Sequence, residues 1–198
     1  MRKEAEITVH GFFRSSASWR VRIALALKQI PYAQKTYVLR AGEQRGEAYL
    51  RLNPQGLVPT LEIDGLVLTQ SLAICEYLDE TRPEPPLLAG NAAERARVRA
   101  FALAIACDIH PLQNLRILQT IEQELGAERS QRWAADLNRN GLEACAGLIP
   151  DDGRLFCFGD RPSLADICLV PQMGNARRFG VPIVWPQLER IEQHCLTL

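Results

Sequence analysis

Ser15 and Ser16 stand side by side in "FFRSSASWRVRIALALK", residues 12–28, directly ahead of a run with helical periodicity and several cations. A hydroxyl at a helix start has two uses. It can accept a backbone N–H as an N-cap, or it can donate to an anion drawn by the positive end of the helix. No histidine or acid lies nearby in sequence to activate either serine, so a hydrolase triad has no local support. A hydroxyl that only donates needs no such base. Aimed at a ligand sulfur, it favours the thiolate over the thiol. A free thiol titrates near 8.5, and lowering that by about two pH units takes roughly 2.7 kcal/mol. One charge-assisted hydrogen bond plus a helix terminus is of that size.

Two other stretches have residue types suited to an anionic or peptide-like molecule. In "NPQGLVPT", Pro59 follows Val58 at the entrance to a short strand, where a proline removes a ladder donor. A trans bond there makes an ordinary strand edge. A cis bond would turn the chain and leave the Val58 N–H and C=O outward, free to pair with an extended peptide. In "TQSLAICEYL", Gln70 and Ser71 open a helix whose free N–H groups suit a carboxylate. A plain N-cap role for Ser71 is the alternative.

The elements that must position these residues follow from periodicity. "EITVHGF" alternates Ile7, Val9 and Gly11 with Thr8, His10 and Phe12, a strand pattern. Residues 16–29 read as a helix with an apolar face that includes Val21, Ala24 and Leu25. "IPYAQKTYVL" reads as a second strand, and "RAGEQRGEAYLRLN" as a loop with a short helix. "VPTLEIDGLVLTQS" gives two short strands joined at Asp64-Gly65, a strong hairpin signal. "SLAICEYLDETR" is a helix stopped by the prolines of "RPEPP". The order is β-α-β-α-β-β-α, with helix-linked strands expected in parallel and the hairpin adding an antiparallel edge.

From about Ala92 the pattern is helical: Val98, Phe101, Ala102, Ile105, Ile109 and Leu112 recur at helical spacing, and Pro111 should bend that helix. The expected domains are an α/β unit over 1–84 and an all-helical unit over 85–198. Ser163 and Asp166 in "DRPSLADICLVP" form a capping-box pattern ahead of a helix apolar nearly all round, a structural feature.

Composition narrows the function classes. The chain has 198 residues, 47% of them apolar, and its 23 Lys and Arg balance 23 Asp and Glu. No basic field points to nucleic acid or an anionic membrane. No stretch approaches the roughly 20 apolar residues of a membrane span, and "MRKEAEITVHGFF" lacks a signal-peptide core, so a cytoplasmic protein is expected. The six cysteines include no C-x-x-C pair and read as buried free thiols in a reducing compartment. The three histidines lack ligand spacing, so no metal is expected.

Together these pieces resemble the glutathione transferase superfamily, and "SSASWRVRIALALK" resembles its zeta class, the maleylacetoacetate isomerase family, with maleylpyruvate isomerases close relatives. The resemblance also covers "LNPQGLVPTLEIDG", "QSLAICEYL", "DIHPLQNLRIL" and "CLVPQMGNARRF". It implies a thioredoxin-like glutathione-binding domain followed by an all-α domain, a homodimer, and glutathione as cofactor. By resemblance Ser15 stabilises the glutathione thiolate with Ser16 as a second donor, and Val58 pairs with the cysteinyl unit. Gln70 and Ser71 grip the γ-glutamyl end, and Gln44 lies near the glycyl arm. His110, Asn114 and Arg116 would close the cofactor cleft, while Arg178 suits a substrate carboxylate. The implied reaction is reversible thiolate addition that turns a cis double bond trans in a small dianionic keto acid, as in aromatic amino-acid breakdown. Ala17 stands where the family signature usually has cysteine. The alternatives are a general glutathione transferase acting on small α-halo acids or other electrophiles, and a non-enzymatic binding protein on the same fold.

Overall fold

A computed structural model describes residues 7–198. The chain divides into two compact units, the first ending at Leu87 and the second spanning Leu88–Leu198.

The first unit is built on a four-stranded sheet of order β2-β1-β3-β4. Its strands are β1 (Thr8–Gly11), β2 (Ala33–Thr36), β3 (Thr60–Ile63) and β4 (Leu66–Thr69). Helix α1 (Ser16–Leu27) links β1 to β2, which pair in parallel. The connection to β3 holds two 3-10 turns and a single helical turn, α2 (Glu47–Leu50). Helix α3 (Ser71–Thr81) follows β4. The Asp64-Gly65 hairpin forms as its sequence predicts, with Ile63 opposite Leu66 and both turn residues at positive φ.

One pairing differs from expectation: β3 runs antiparallel to β1, not parallel. The reason lies in the linker. Gly42 at φ 78 and the Asn53-Pro54 step break it into pieces, and the four residues of α2 are far too short to return the chain along the sheet. The chain therefore enters β3 from the end at which it left β2.

The second unit is helical: α4 (Ala92–Leu103), α5 (Leu115–Leu125), α6 (Ala127–Leu148), α7 (Leu164–Arg178) and α8 (Pro186–Cys195). Its buried centre is α7, whose residues Leu164 to Met173 are all buried. The capping box forms: Asp166 accepts the Ser163 N–H at 2.8 Å, the Ser163 hydroxyl at 2.7 Å and the Cys157 N–H at 2.7 Å. Pro111 does more than bend a helix. Ahead of it α4 widens into a π-helical stretch, Ala104–Ile109, and the chain then tightens into a 3-10 turn, His110–Gln113. A proline removes its own N–H and crowds the carbonyl of the preceding turn, so the regular ladder gives way on both sides.

Helix α6 approaches that π-helical stretch through Gly141. A Cβ there would lie 2.5 Å from Cγ1 of Ile109, itself buried. Gly141→Ala is therefore expected to destabilise the protein by about 1–3 kcal/mol through overpacking. A thermal melt checks this, and an unchanged midpoint would show that Ile109 has room to move.

Candidate active site

The register of the sheet gathers most of the sequence-predicted residues at one end of the first unit. His10 faces Thr60, and Thr60 faces Thr69. The chain leaving β1 toward Ser15, the Val58–Pro59 step entering β3, and Gln70-Ser71 leaving β4 thus share one end of the sheet. Both α1 and α3 start there, so their positive N-termini serve the same place.

Gly11 permits the close entry into α1, since a Cβ on it would stand 2.9 Å from the Ser18 hydroxyl oxygen. That oxygen accepts the Phe12 N–H at 3.4 Å, and Arg22 donates to the Phe13 carbonyl at 3.1 Å, fixing the loop ahead of the serines. Ser15 is the N-cap of α1. Its backbone is extended at φ −78, ψ 117, and its oxygen accepts the Ser18 N–H at 3.2 Å. The two roles foreseen for this hydroxyl are compatible: the oxygen caps while the hydrogen stays available to donate. Ser15 is half-buried, whereas Ser16 is buried in the first turn.

Val58 is presented by a clamped loop. Tyr49 donates to the Leu57 carbonyl at 2.6 Å and meets the Thr60 hydroxyl at 3.0 Å, while Asn53 donates to the same carbonyl at 2.7 Å. Burial raises the Tyr49 phenol above its ordinary range, keeping it a donor. The Val58–Pro59 bond is cis, and no hydrogen bond among the described residues uses the Val58 main chain. That edge is free for an extended ligand.

Gln70, not Ser71, occupies the cap position of α3, which removes the N-cap reading of Ser71. Gln70 sits at φ 68, ψ 112, outside the favoured regions for a residue with a side chain, and its Nε2 donates to Gln55 at 3.0 Å. Backbone strain of this kind costs about 1–3 kcal/mol and gathers at ligand clamps. Ser71 is buried, and its oxygen accepts from Nη1 of Arg20 at 3.4 Å.

Gln44 is buried in the linker between β2 and β3. Its Nε2 donates to the Leu39 carbonyl at 3.3 Å, while Oε1 is buried without a partner.

The other four sequence-predicted residues belong to the second unit. His110 opens the 3-10 turn after the π-helical stretch, an irregularity typical of functional segments. Asn114 caps α5, accepting the Arg116 N–H at 3.3 Å, and the Arg116 side chain is exposed. Arg178 is exposed in the last turn of α7, its guanidinium 5.3 Å from the Phe179 ring centre. Helix α7 packs against the π-helical stretch.

The cysteines offer no competing nucleophile in the core. All six are free, four of them buried, with Cys107 exposed and Cys195 partly so. Burial pushes the Cys145 and Cys195 thiols up to about 12, and Cys157 well above its ordinary value. Such thiols stay protonated at neutral pH. Among the described residues no three His, Cys, Asp or Glu side chains gather as metal ligands would, and no helix is long and apolar enough to cross a membrane.

One residue escaped the sequence reading of the site. Arg20 is 1% exposed and packs beneath the start of α3. A signal for it exists, because it falls in the stripe 17, 20, 21, 24 that otherwise holds Ala17, Val21 and Ala24.

A mixed four-stranded sheet of this order, with two helix N-termini and a free strand edge at one end, is a thioredoxin-like domain, the type that opens glutathione transferases. In agreement, residues 14–81 match the family model for the glutathione S-transferase N-terminal domain. The maleylacetoacetate isomerase of Pseudomonas aeruginosa is 46% identical over 92% of this chain and 88% of its own. A holo structure of a maleylpyruvate isomerase, described as a bacterial glutathione transferase of the zeta class, superposes with a TM-score of 0.93 at 40% identity, covering 96% of this chain and 92% of that one. The maleylacetoacetate isomerase of Methylobacterium extorquens AM1, solved with malonate and glutathione bound, superposes with a TM-score of 0.91 at 38% identity over 96% and 92% of the two chains. This chain belongs to the zeta class of glutathione transferases, the maleylacetoacetate isomerase family.

Proposed function

We propose that this protein is a glutathione-dependent isomerase that converts a small cis-unsaturated keto dicarboxylic acid, maleylacetoacetate or maleylpyruvate, to its trans form. The observation that carries this reading is the Ser15 hydroxyl: its oxygen is held by the Ser18 N–H at 3.2 Å, its hydrogen has no acceptor among the described residues, and it stands at a helix N-terminus. The fit to glutathione rests on the same end of the sheet. The unpaired Val58 main chain suits the cysteinyl unit, and Gln70 and Ser71 at the start of α3 suit the γ-glutamyl carboxylate. Gln44, whose buried amide oxygen has no donor among the described residues, suits the glycyl N–H. Bound there, glutathione supplies the sulfur nucleophile whose reversible addition makes the substrate's double bond temporarily single.

The chain's own contribution is electrostatic. Toward a bound sulfur, Ser15 would donate its hydroxyl hydrogen, Ser16 would add a second hydroxyl beside it, and the α1 N-terminus would lower the cost of negative charge. Arg178 provides an exposed cation for a substrate carboxylate, and His110, Asn114 and Arg116 supply donors along the π-to-α5 segment. The relatives do not favour the general-transferase alternative. We also assign the protein to the cytoplasm, which its six free thiols support. Homodimer formation is a further part of this reading, and sedimentation tests it.

The reaction itself is tested by a proton NMR time course on both cis acids. The expected result is conversion to the trans acid only when glutathione is present, with glutathione constant throughout. Stoichiometric loss of glutathione would replace isomerisation by conjugation.

A further inference from the structure

Among the described residues of the first unit, Arg20 is a deeply buried cation without an acid partner. Its side chain comes from the buried stripe of α1 and is 1% exposed. Nη1 reaches the Ser71 hydroxyl oxygen at 3.4 Å, and Nε and Nη2 have no hydrogen-bond partner among the described residues. None of the ion pairs among the described residues includes it. Lys28, which caps the C-terminal end of α1 and is also buried, shows the usual solution, an Asp79 carboxylate at 2.8 Å. A guanidinium is a permanent charge, and burying one without an anion is among the costliest arrangements a fold can hold. An anion bound beside it would offset that cost.

Three features mark where that anion arrives. Arg20 touches the first residue of α3, an 11-residue helix whose N-terminal N–H groups favour a carboxylate. Gln70, the residue before it, is held at φ 68. Two donors of Arg20 remain unspent in the same buried region.

We propose that Arg20 is a positioning residue for the γ-glutamyl end of the cofactor. Its guanidinium is the buried counter-charge of the γ-glutamyl α-carboxylate, acting through Ser71 and the α3 N-terminus. This rests on the glutathione reading given above. It predicts that the apo protein carries an electrostatic cost which ligand binding relieves.

Calorimetry on the full chain tests it with two ligands, glutathione and γ-aminobutyryl-cysteinylglycine, which lacks only the α-carboxylate. The expected result is that the wild type prefers glutathione at least tenfold, that Arg20→Met loses most of that preference, and that both proteins bind the decarboxylated tripeptide alike. Without ligand, Arg20→Met should melt no lower than the wild type, because a lone buried charge has been removed. Arg20→Lys, which keeps the charge, should retain part of the preference. Equal weakening of both ligands in Arg20→Met would overturn the proposal, and so would a ligand-free variant that is markedly less stable or fails to fold, since either marks a structural group. A wild type that binds neither tripeptide would instead remove the glutathione reading itself, and this inference with it.

Discussion

Ser15→Ala is expected to lower kcat at pH 7 by about 10–30-fold, because a bound thiol that titrates near 8.5 is only about 3% thiolate at that pH. The hydroxyl has two jobs, so the substitution also removes the N-cap of α1. That cap is worth about 1 kcal/mol, too little to unfold a domain of ordinary stability. Ser15→Asp separates the two jobs. Its carboxylate still accepts the Ser18 N–H and suits a helix N-terminus, yet it donates nothing and repels a thiolate. The aspartate variant should therefore be at least as stable as the alanine variant and no more active.

The pH profile gives a second readout of the same group. With its hydroxyl donor gone, the bound thiol should titrate nearer its ordinary value of about 8.5, so turnover by Ser15→Ala should rise between pH 7 and roughly 9.5 while the wild type stays flat. Unchanged turnover at pH 7 in the alanine variant would leave the hydroxyl a cap and nothing more.

How far the sequence discloses these features depends on whether each is local. The α1 start, the Asp64-Gly65 hairpin and the Ser163–Asp166 box are set by residues a few positions apart, and all form where the spacing places them. The direction of β3 is not local. It depends on how far the linker after β2 travels, which Gly42 and Pro54 limit without any periodic signal. The Pro111 region shows the same boundary, since the proline announces a break but not its form, a π-helical stretch followed by a 3-10 turn. Within the site, Ser15 and Gln70-Ser71 are legible because helix starts are. Arg20 was legible as a cation but not as a site residue, because its meaning comes from what is missing around it. Only the packing of α1 on α3 shows that its stripe position leaves a guanidinium with no acid.

The buried pair at the opposite ends of those two helices should give the largest stability effect. The Lys28 side chain is 0% exposed, and its ammonium donates to Asp79 at 2.8 Å, to the Arg82 carbonyl at 2.6 Å and to the Pro85 carbonyl at 2.7 Å. All three of its hydrogens are thereby used. Asp79 also accepts the Leu87 N–H at 2.6 Å, so one carboxylate joins the end of α1, the end of α3 and the chain leaving the unit. Asp79→Ala would strand the ammonium in the interior, at a cost of about 3–5 kcal/mol. Against a typical total of about 5–15 kcal/mol, that is a large share. Lys28→Met combined with Asp79→Leu removes both charges and should cost less than Asp79→Ala alone, because the penalty lies in the unpaired charge and not in the absent bond. Urea unfolding, read through hydrogen exchange of the α1 and α3 amides, measures both. A double variant as unstable as the single one would mean that the two backbone carbonyls, not the charge pair, hold this corner. Because α1 and α3 also supply the two N-termini at the other end of the sheet, the single variant should lose glutathione affinity along with stability, and the double variant should recover both together.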